Sequence, residues 1–298
     1  MKLLLTLVSL LVSVGLMAQS DTTYWTNSFN GSLNFNQSSF SSNWTGGGVN
    51  SLAFDALINA KAAYKKNKTS WDNEFEAQFG MVKNDGQSLR KASDRLFFDT
   101  KVGHDLSSKW QMYASVNFLT QFANGFKYET GANGQEISRR ISKFMAPGYL
   151  TTSWGFEYKP ADYFWVRLSP FSPRFTFVTD TTLYLNEDAD PPKNYGVPIG
   201  DKVRSEWLAF QLLADFDKDL TENLNLKARY LMYANYETFA LEEIDHRLDL
   251  AITAKVAKYI SVRLSGALIY DKDQDDDVQL SQAMGIGFVY KVANRKAE

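Results

Sequence analysis

Across residues 71–82 apolar and polar side chains alternate with a period of two. Trp71, Phe75, Ala77, Phe79 and Met81, with Asn73 among them, fall on one face, and Asp72, Glu74, Glu76, Gln78, Gly80 and Val82 on the other. Successive side chains of a strand point to opposite sides, so the segment predicts a strand with one apolar and one polar face. The pattern recurs along most of the chain. Strands are expected at about 27–37, 50–64, 71–82, 95–104, 109–123, 148–158, 164–168, 204–216, 224–236, 247–256, 260–270 and 280–290. Pro170 and Pro173 cannot donate to a ladder, so the seventh strand is expected to be bulged or broken before 175–178. Strands of soluble proteins usually run about 5–6 residues, whereas a tilted strand crossing a bilayer needs about 9–11.

The connections sort by length. Those at 65–70, 105–108, 159–162, 217–222 and 257–259 are short, and those between them are longer, up to the loops 124–142 and 179–202. Short turns at one end and long loops at the other are the pattern of outer-membrane barrels, with the turns periplasmic and the loops extracellular. Tyr64, Trp71, Trp110, Tyr158, Tyr270 and Tyr290 fall near strand ends on the apolar parity, where interfacial girdles sit. The fold expected is all-β: a transmembrane antiparallel β-barrel of about twelve strands. The competing architecture is a soluble or periplasmic all-β protein, which has no reason to sort its loops by length.

Composition changes this picture little. The 298 residues are 44% hydrophobic and 22% charged, as lumen-facing polar residues diluting each apolar run require. A net charge of −2 gives no reason to expect a nucleic-acid partner. Residues 1–19 read as a cleaved signal peptide: Lys2 supplies the positive start, Leu3 to Met17 the apolar run, and Leu16-Met17-Ala18 the cleavage site. Residues 20–298 then form the barrel domain. The chain has no cysteine, which excludes a disulfide scaffold, thiolate metal sites and an N-terminal lipid anchor on cysteine.

Several motifs carry a family resemblance. They are SNWTGGGVNS (42–51), WDNEFEAQFGMVKNDG (71–86), RKASDRL (90–96), FLTQFANGF (118–126), ISKFMAPGYL (141–150) and LSPFSPRFTFV (168–178). With them the chain resembles a Bacteroidetes family of outer-membrane barrels, domain of unknown function 3078. The resemblance implies a barrel in the outer membrane of a Gram-negative bacterium and no established activity. Many such barrels end on their last aromatic residue, whereas eight residues follow Tyr290 here.

Candidate chemistry lies on the polar parity, which faces the lumen. Asp72, Glu74 and Glu76 on the third strand oppose Asn225, Lys227 and Arg229 on the ninth, with Lys255 and Arg263 on neighbouring strands. Counting from the periplasmic turns sets Glu76 level with Lys227 or Arg229. Two arrangements are open: an aqueous lumen with an acidic wall facing a basic one, or charges that pair and plug the barrel. Arg95, Asp99 and Lys101 offer partners for Glu74 and Glu76. His104 and His246 share the apolar parity at opposite ends, which disfavours a nucleophile–base pair and hence an enzyme. The acidic run 271–279 lacks the glycine and closing glutamate of a calcium loop. Gly46-Gly47-Gly48 opens no helix, and no cofactor or metal site is expected. Lys202, Arg204, Arg90 and Lys91 lie near the extracellular rim, where lipid phosphates are within reach. The partners expected are outer-membrane lipid and lipopolysaccharide, the barrel assembly machinery and a small solute. The reading is a passive pore or small-solute transporter with a charged lumen; the alternative is a closed structural barrel whose long loops bind a surface partner or lipopolysaccharide.

Overall fold

The structure is a computed structural model, which describes residues 24–41, 49–131, 133–183, 193–238, 240–273 and 275–293. The expected signal peptide, the glycine run at 46–48 and the proline pair at 191–192 lie outside the described residues.

Twelve staves form one antiparallel sheet that closes on itself. They are β1 (Trp25–Ser38), β2 (Ser51–Lys66), β3 (Thr69–Asn84), β4 (Arg90–Asp105), β5 (Trp110–Thr120) and β6 (Gly148–Ala161). Next come β7, in two pieces (Phe164–Phe171 and Arg174–Phe177), and β8, also in two (Val203–Glu206 and Ala209–Thr221). The last four are β9 (Leu224–Asn235), β10 (Asp245–Lys255), β11 (Ile260–Asp271) and β12 (Asp275–Ala293). Each stave pairs with its sequence neighbours, and β12 returns to β1 in the register Phe29↔Val292 to Phe35↔Ile286. Closure removes both sheet edges, the condition for placing strands in lipid.

The burial pattern is that of a soluble protein turned inside out. Phe35, Phe54, Ile58, Phe75, Phe98, Met112, Trp154, Ile252, Leu264, Met284 and Phe288 are all exposed, and all stand on the outward parity. Asn59, Glu76, Asp99, Lys101, Glu157, Arg167, Gln211 and Asp215 are buried and point inward. The ladder registers carry this parity round the wall. Glu74 stands opposite Asp99, which stands opposite Asn117, which stands opposite Thr151. On the far side Asp215, Arg229, Asp249, Ala267 and Ser281 follow one another from β8 to β12. An apolar band facing out and a polar interior define an outer-membrane barrel.

Aromatic rings mark the ends of the band. At the short-turn end Trp25 lies 5.3 Å from Tyr64 and 5.6 Å from Trp71, and Trp110 lies 4.8 Å from Tyr158. At the long-loop end Phe54, Phe79 and Phe122 run in series, and Phe175 meets Trp207 edge-on at 5.2 Å.

Three local features differ from the sequence expectation. β8 is broken at Trp207 and Leu208, because the gap in β7 at Ser172-Pro173 leaves its neighbour without a continuous partner. The Ser172 amide, 2.9 Å from the Ala209 carbonyl, holds the two breaks side by side. The loop 124–142 contains a hairpin of its own, Gly125–Thr130 with Glu136–Ser142. The acidic run contributes to a strand rather than a loop from Asp275, which pairs with Asp271.

The long loops fold into a cap. Ala146, Val178, Leu183 and Val197 form a small buried core, with Tyr195 packed against it. Asp180 ties the cap together: its carboxylate accepts from Thr182 at 2.6 Å, from Arg140 at 2.7 Å and from Lys143 at 3.0 Å.

A charged lumen as the candidate functional site

The inward residues form stacked layers of ion pairs. Near the short-turn end, Lys101 of β4 reaches Glu157 of β6 at 2.8 Å and Asp72 of β3 at 3.1 Å. Arg167 of β7 bonds the same Glu157 at 2.8 Å and crosses to Asp99 of β4 at 3.2 Å. Its guanidinium also lies over the rings of Trp165 and Tyr113. A charge buried this deeply is stable only when its hydrogen-bonding groups are met, and here five charged side chains satisfy one another.

A second layer spans the barrel. Arg229 of β9 donates to Asp215 of β8 at 2.7 Å and to Glu74 of β3 at 3.2 Å. Glu74 is also met by Lys61 at 3.4 Å and by the Asn59 amide at 2.8 Å. With twelve staves, β3 and β9 face each other, so this pair ties opposite walls. The depth count set Glu76 level with Lys227 or Arg229; the acid that meets Arg229 is Glu74, one inward position nearer the short turn. Glu76 is held instead by Arg95 of β4 at 3.0 Å. Toward the long loops Arg174 of β7 reaches Asp245 of β10 at 2.6 Å and lies over the Tyr233 ring.

The remaining sequence candidates divide. Lys227 and Arg263 face the lumen but make no hydrogen bond or ion pair among the described residues. Lys255 is the last residue of β10, exposed at the short-turn mouth. The partners from β6 and β7, Glu157 and Arg167, and the pair Arg174–Asp245 were not among the sequence candidates. Their inward parity is readable, since each sits an even number of positions from a lumen residue of its own strand. Which cation meets which acid depends on strand tilt and closure.

The lumen is not filled evenly. The β4–β8 side is packed with the ion pairs and with Tyr113 against Ser169 and Ser153 against Gln211. The β10–β12 side presents small residues inward: Ala251, Ser265, Ala267, Ser281, Ala283 and Gly285. A cavity of about 650 Å³ occupies the space that these leave, running from Lys227, Arg229 and Arg263 up to Asn36, Ala53 and Ser93. Across it Asp55 accepts from Ser93 at 2.7 Å and Gln78 at 3.0 Å.

The histidines lie away from this chamber. His104 is exposed on the outward face near the short turns. His246 also points outward, its Nδ1 lying 2.8 Å from the Tyr230 hydroxyl.

Among the described residues of the cap, outside the membrane, two titrations are displaced. The hydrogen bonds from Thr182, then Lys143, hold the Asp180 carboxyl well below the usual carboxylate range, and burial in the cap pushes the Tyr195 phenol up to about 12.

A comparison with curated proteins finds no match. Among solved structures the chain is similar to the COG4313 outer membrane channel from Pseudomonas putida F1, with 8% identity and a TM-score of 0.40 over 93% of this chain and 98% of that one. It is similar also to the translocator domain of the autotransporter NalP from Neisseria meningitidis (11%, TM-score 0.35, 93% and 92%) and to the CymD monoaromatic hydrocarbon channel (14%, 0.34, 91% and 88%). Likeness at this level carries no argument about what passes through the lumen. Over residues 35–126, from β1 to the hairpin after β5, the chain matches the model of the family described as Protein of unknown function (DUF3078), the family to which its motifs point.

Proposed function

We propose that this outer-membrane barrel is a small-solute transporter whose passage is held shut by the Glu74–Arg229–Asp215 layer. The observation that carries the reading is the union of two features in one lumen. A chamber large enough for a small solute lies along the β10–β12 wall. Beside its lower end stands a bridge between opposite walls, made by side chains and not by backbone. Side-chain bridges can be exchanged for contacts with a solute, whereas a lumen built only as a filled core has no need of a chamber. Passage is then of single small molecules, and no catalytic step is assigned to the barrel. Lipopolysaccharide and the barrel assembly machinery are the partners this placement calls for.

The second reading, a closed structural barrel that binds through its loops, draws support from the cap. Its apolar core and the Asp180 ion pairs make a preformed surface rather than a loose set of loops. Bilayer conductance separates the two. A transporter opens when the Glu74–Arg229 bridge is removed. A closed barrel stays silent, because the other layers still fill it.

A further inference from the structure

The chamber carries an uneven complement of charge. Arg229 is satisfied by Glu74 and Asp215, Arg95 faces Glu76, and Arg247 takes Asp249 of its own strand at 2.8 and 2.9 Å. Of the two other carboxylates on the wall, Asp94 is paired with Lys91 at 2.9 Å, and Asp55 is held by neutral donors. Lys227 and Arg263 are left over, each half-buried and with no hydrogen bond or ion pair among the described residues. They stand on β9 and β11 with β10 between them, where Ala251 and Thr253 leave room above the wall. Arg95 adds an Nε that is buried and makes no hydrogen bond. Lys227 feels the Glu74 and Asp215 carboxylates, both taken by Arg229, without bonding to either. Half-buried cations with no directly bonded counterion are costly, and a bound anion lowers the cost. Arginine in particular presents paired N–H groups that match a carboxylate or phosphate.

We propose that the chamber is a binding site for a small oxyanion, carboxylate or phosphate, gripped between Lys227 and Arg263. This deepens the transport reading by naming the chemical class of the solute, and it rests on the lumen admitting solutes. The small residues of β10–β12 set the size limit, and Asp55 on the facing wall rejects an anion that would extend across the chamber without a cation or hydroxyl of its own at that end.

Equilibrium binding to the purified, folded barrel in detergent tests the proposal, by calorimetric titration with sodium succinate, with sodium phosphate, and with glucose as a neutral control. The expected result is saturable binding of one or both anions and none of glucose. Succinate binding alone identifies carboxylates as the class, and phosphate binding alone identifies phosphates. Lys227→Gln and Arg263→Gln each weaken that binding about tenfold or more, the loss of one charge-assisted contact. Heat-resistant migration in gels shows that each variant is folded. A wild-type barrel that binds neither anion, or variants that bind as tightly as wild type, overturns the site. Conductance of the same preparation keeps the two readings apart. Binding in a barrel that never conducts retains the site and removes the passage. Conductance without anion binding retains the passage and removes the site.

Discussion

Glu74 on β3 and Arg229 on β9 are 155 residues apart in sequence and on opposite walls of the barrel, yet their side chains meet at 3.2 Å. Arg229 holds Asp215 with its Nε at the same time, at 2.7 Å. One guanidinium therefore links three staves, and the lumen is bridged without any contribution from a loop.

Removing the cation from this layer should cost more than removing one acid. Arg229→Gln strands Asp215 and leaves Glu74 with only Lys61 and the Asn59 amide, and breaking a buried pair in this way typically costs about 3–5 kcal/mol. Glu74→Gln leaves Arg229 with Asp215 and should cost less. The double variant should recover part of the loss, with a coupling of about 0.5–3 kcal/mol in urea unfolding from lipid vesicles. Additive losses would mean that the two side chains do not share the layer.

Parity can be tested with two neighbours on β11. Leu264 faces lipid and is 46% exposed, whereas Ser265 faces the chamber. Leu264→Arg should destabilise the barrel by about 2–4 kcal/mol, the cost of arginine at the bilayer midplane. Ser265→Arg should be tolerated for folding while filling the chamber and abolishing anion binding. Equal folding losses at the two positions would contradict the register.

Gly155 on β6 sits where β7 comes closest. A Cβ built there would lie 1.9 Å from the carbonyl oxygen of Leu168. Gly155→Ala must push the two strands apart at a site where the ladder already shifts register between Trp154 and Phe156. The expected result is a loss of about 1–3 kcal/mol or more and a weaker heat-resistant band, since overpacking against backbone cannot be relieved by a rotamer change.

The cap should loosen in acid. The Asp180 carboxyl titrates below its ordinary value in the folded cap, so its stabilisation is fully present above the unfolded value of about 4 and is lost as pH falls through the lowered one. The hydrogen-exchange protection factors of residues 140–146 and 178–183, taken against the intrinsic rate at each pH, should be unchanged between pH 7 and 5 and should fall in more acidic solution. In Asp180→Asn exchange should already be fast at pH 7.

Much of this was legible in the sequence because alternation survives wherever one face meets lipid and the other meets water. Pro170 and Pro173 announced the break in β7. The matching break in β8 left no such mark: Trp207 and Leu208 are exposed apolar residues that read as strand, and their interruption is imposed by the neighbouring stave. The acidic start of β12 read as a loop because charge is usually excluded from strands. The ladder with β11 nevertheless runs through Leu280 and Gln279 and resumes, past a register shift, at Asp275. In the lumen, the strands that would face each other and the signs of their charges could be counted. The pairing of Glu74 rather than Glu76 with Arg229, and the links from Lys101 and Arg167 to Glu157, depend on the tilt of closed staves.

Single-channel conductance in a planar bilayer, comparing the wild-type barrel with the double variant Glu74→Ala/Arg229→Ala, tests the central claim most directly. The wild type should be closed or open in rare, small steps, and the folded double variant should show steady ohmic steps. Large steady steps in the wild type that the substitutions leave unchanged would show that the bridge does not close the lumen. A folded double variant that stays silent would show that there is no passage for the bridge to close.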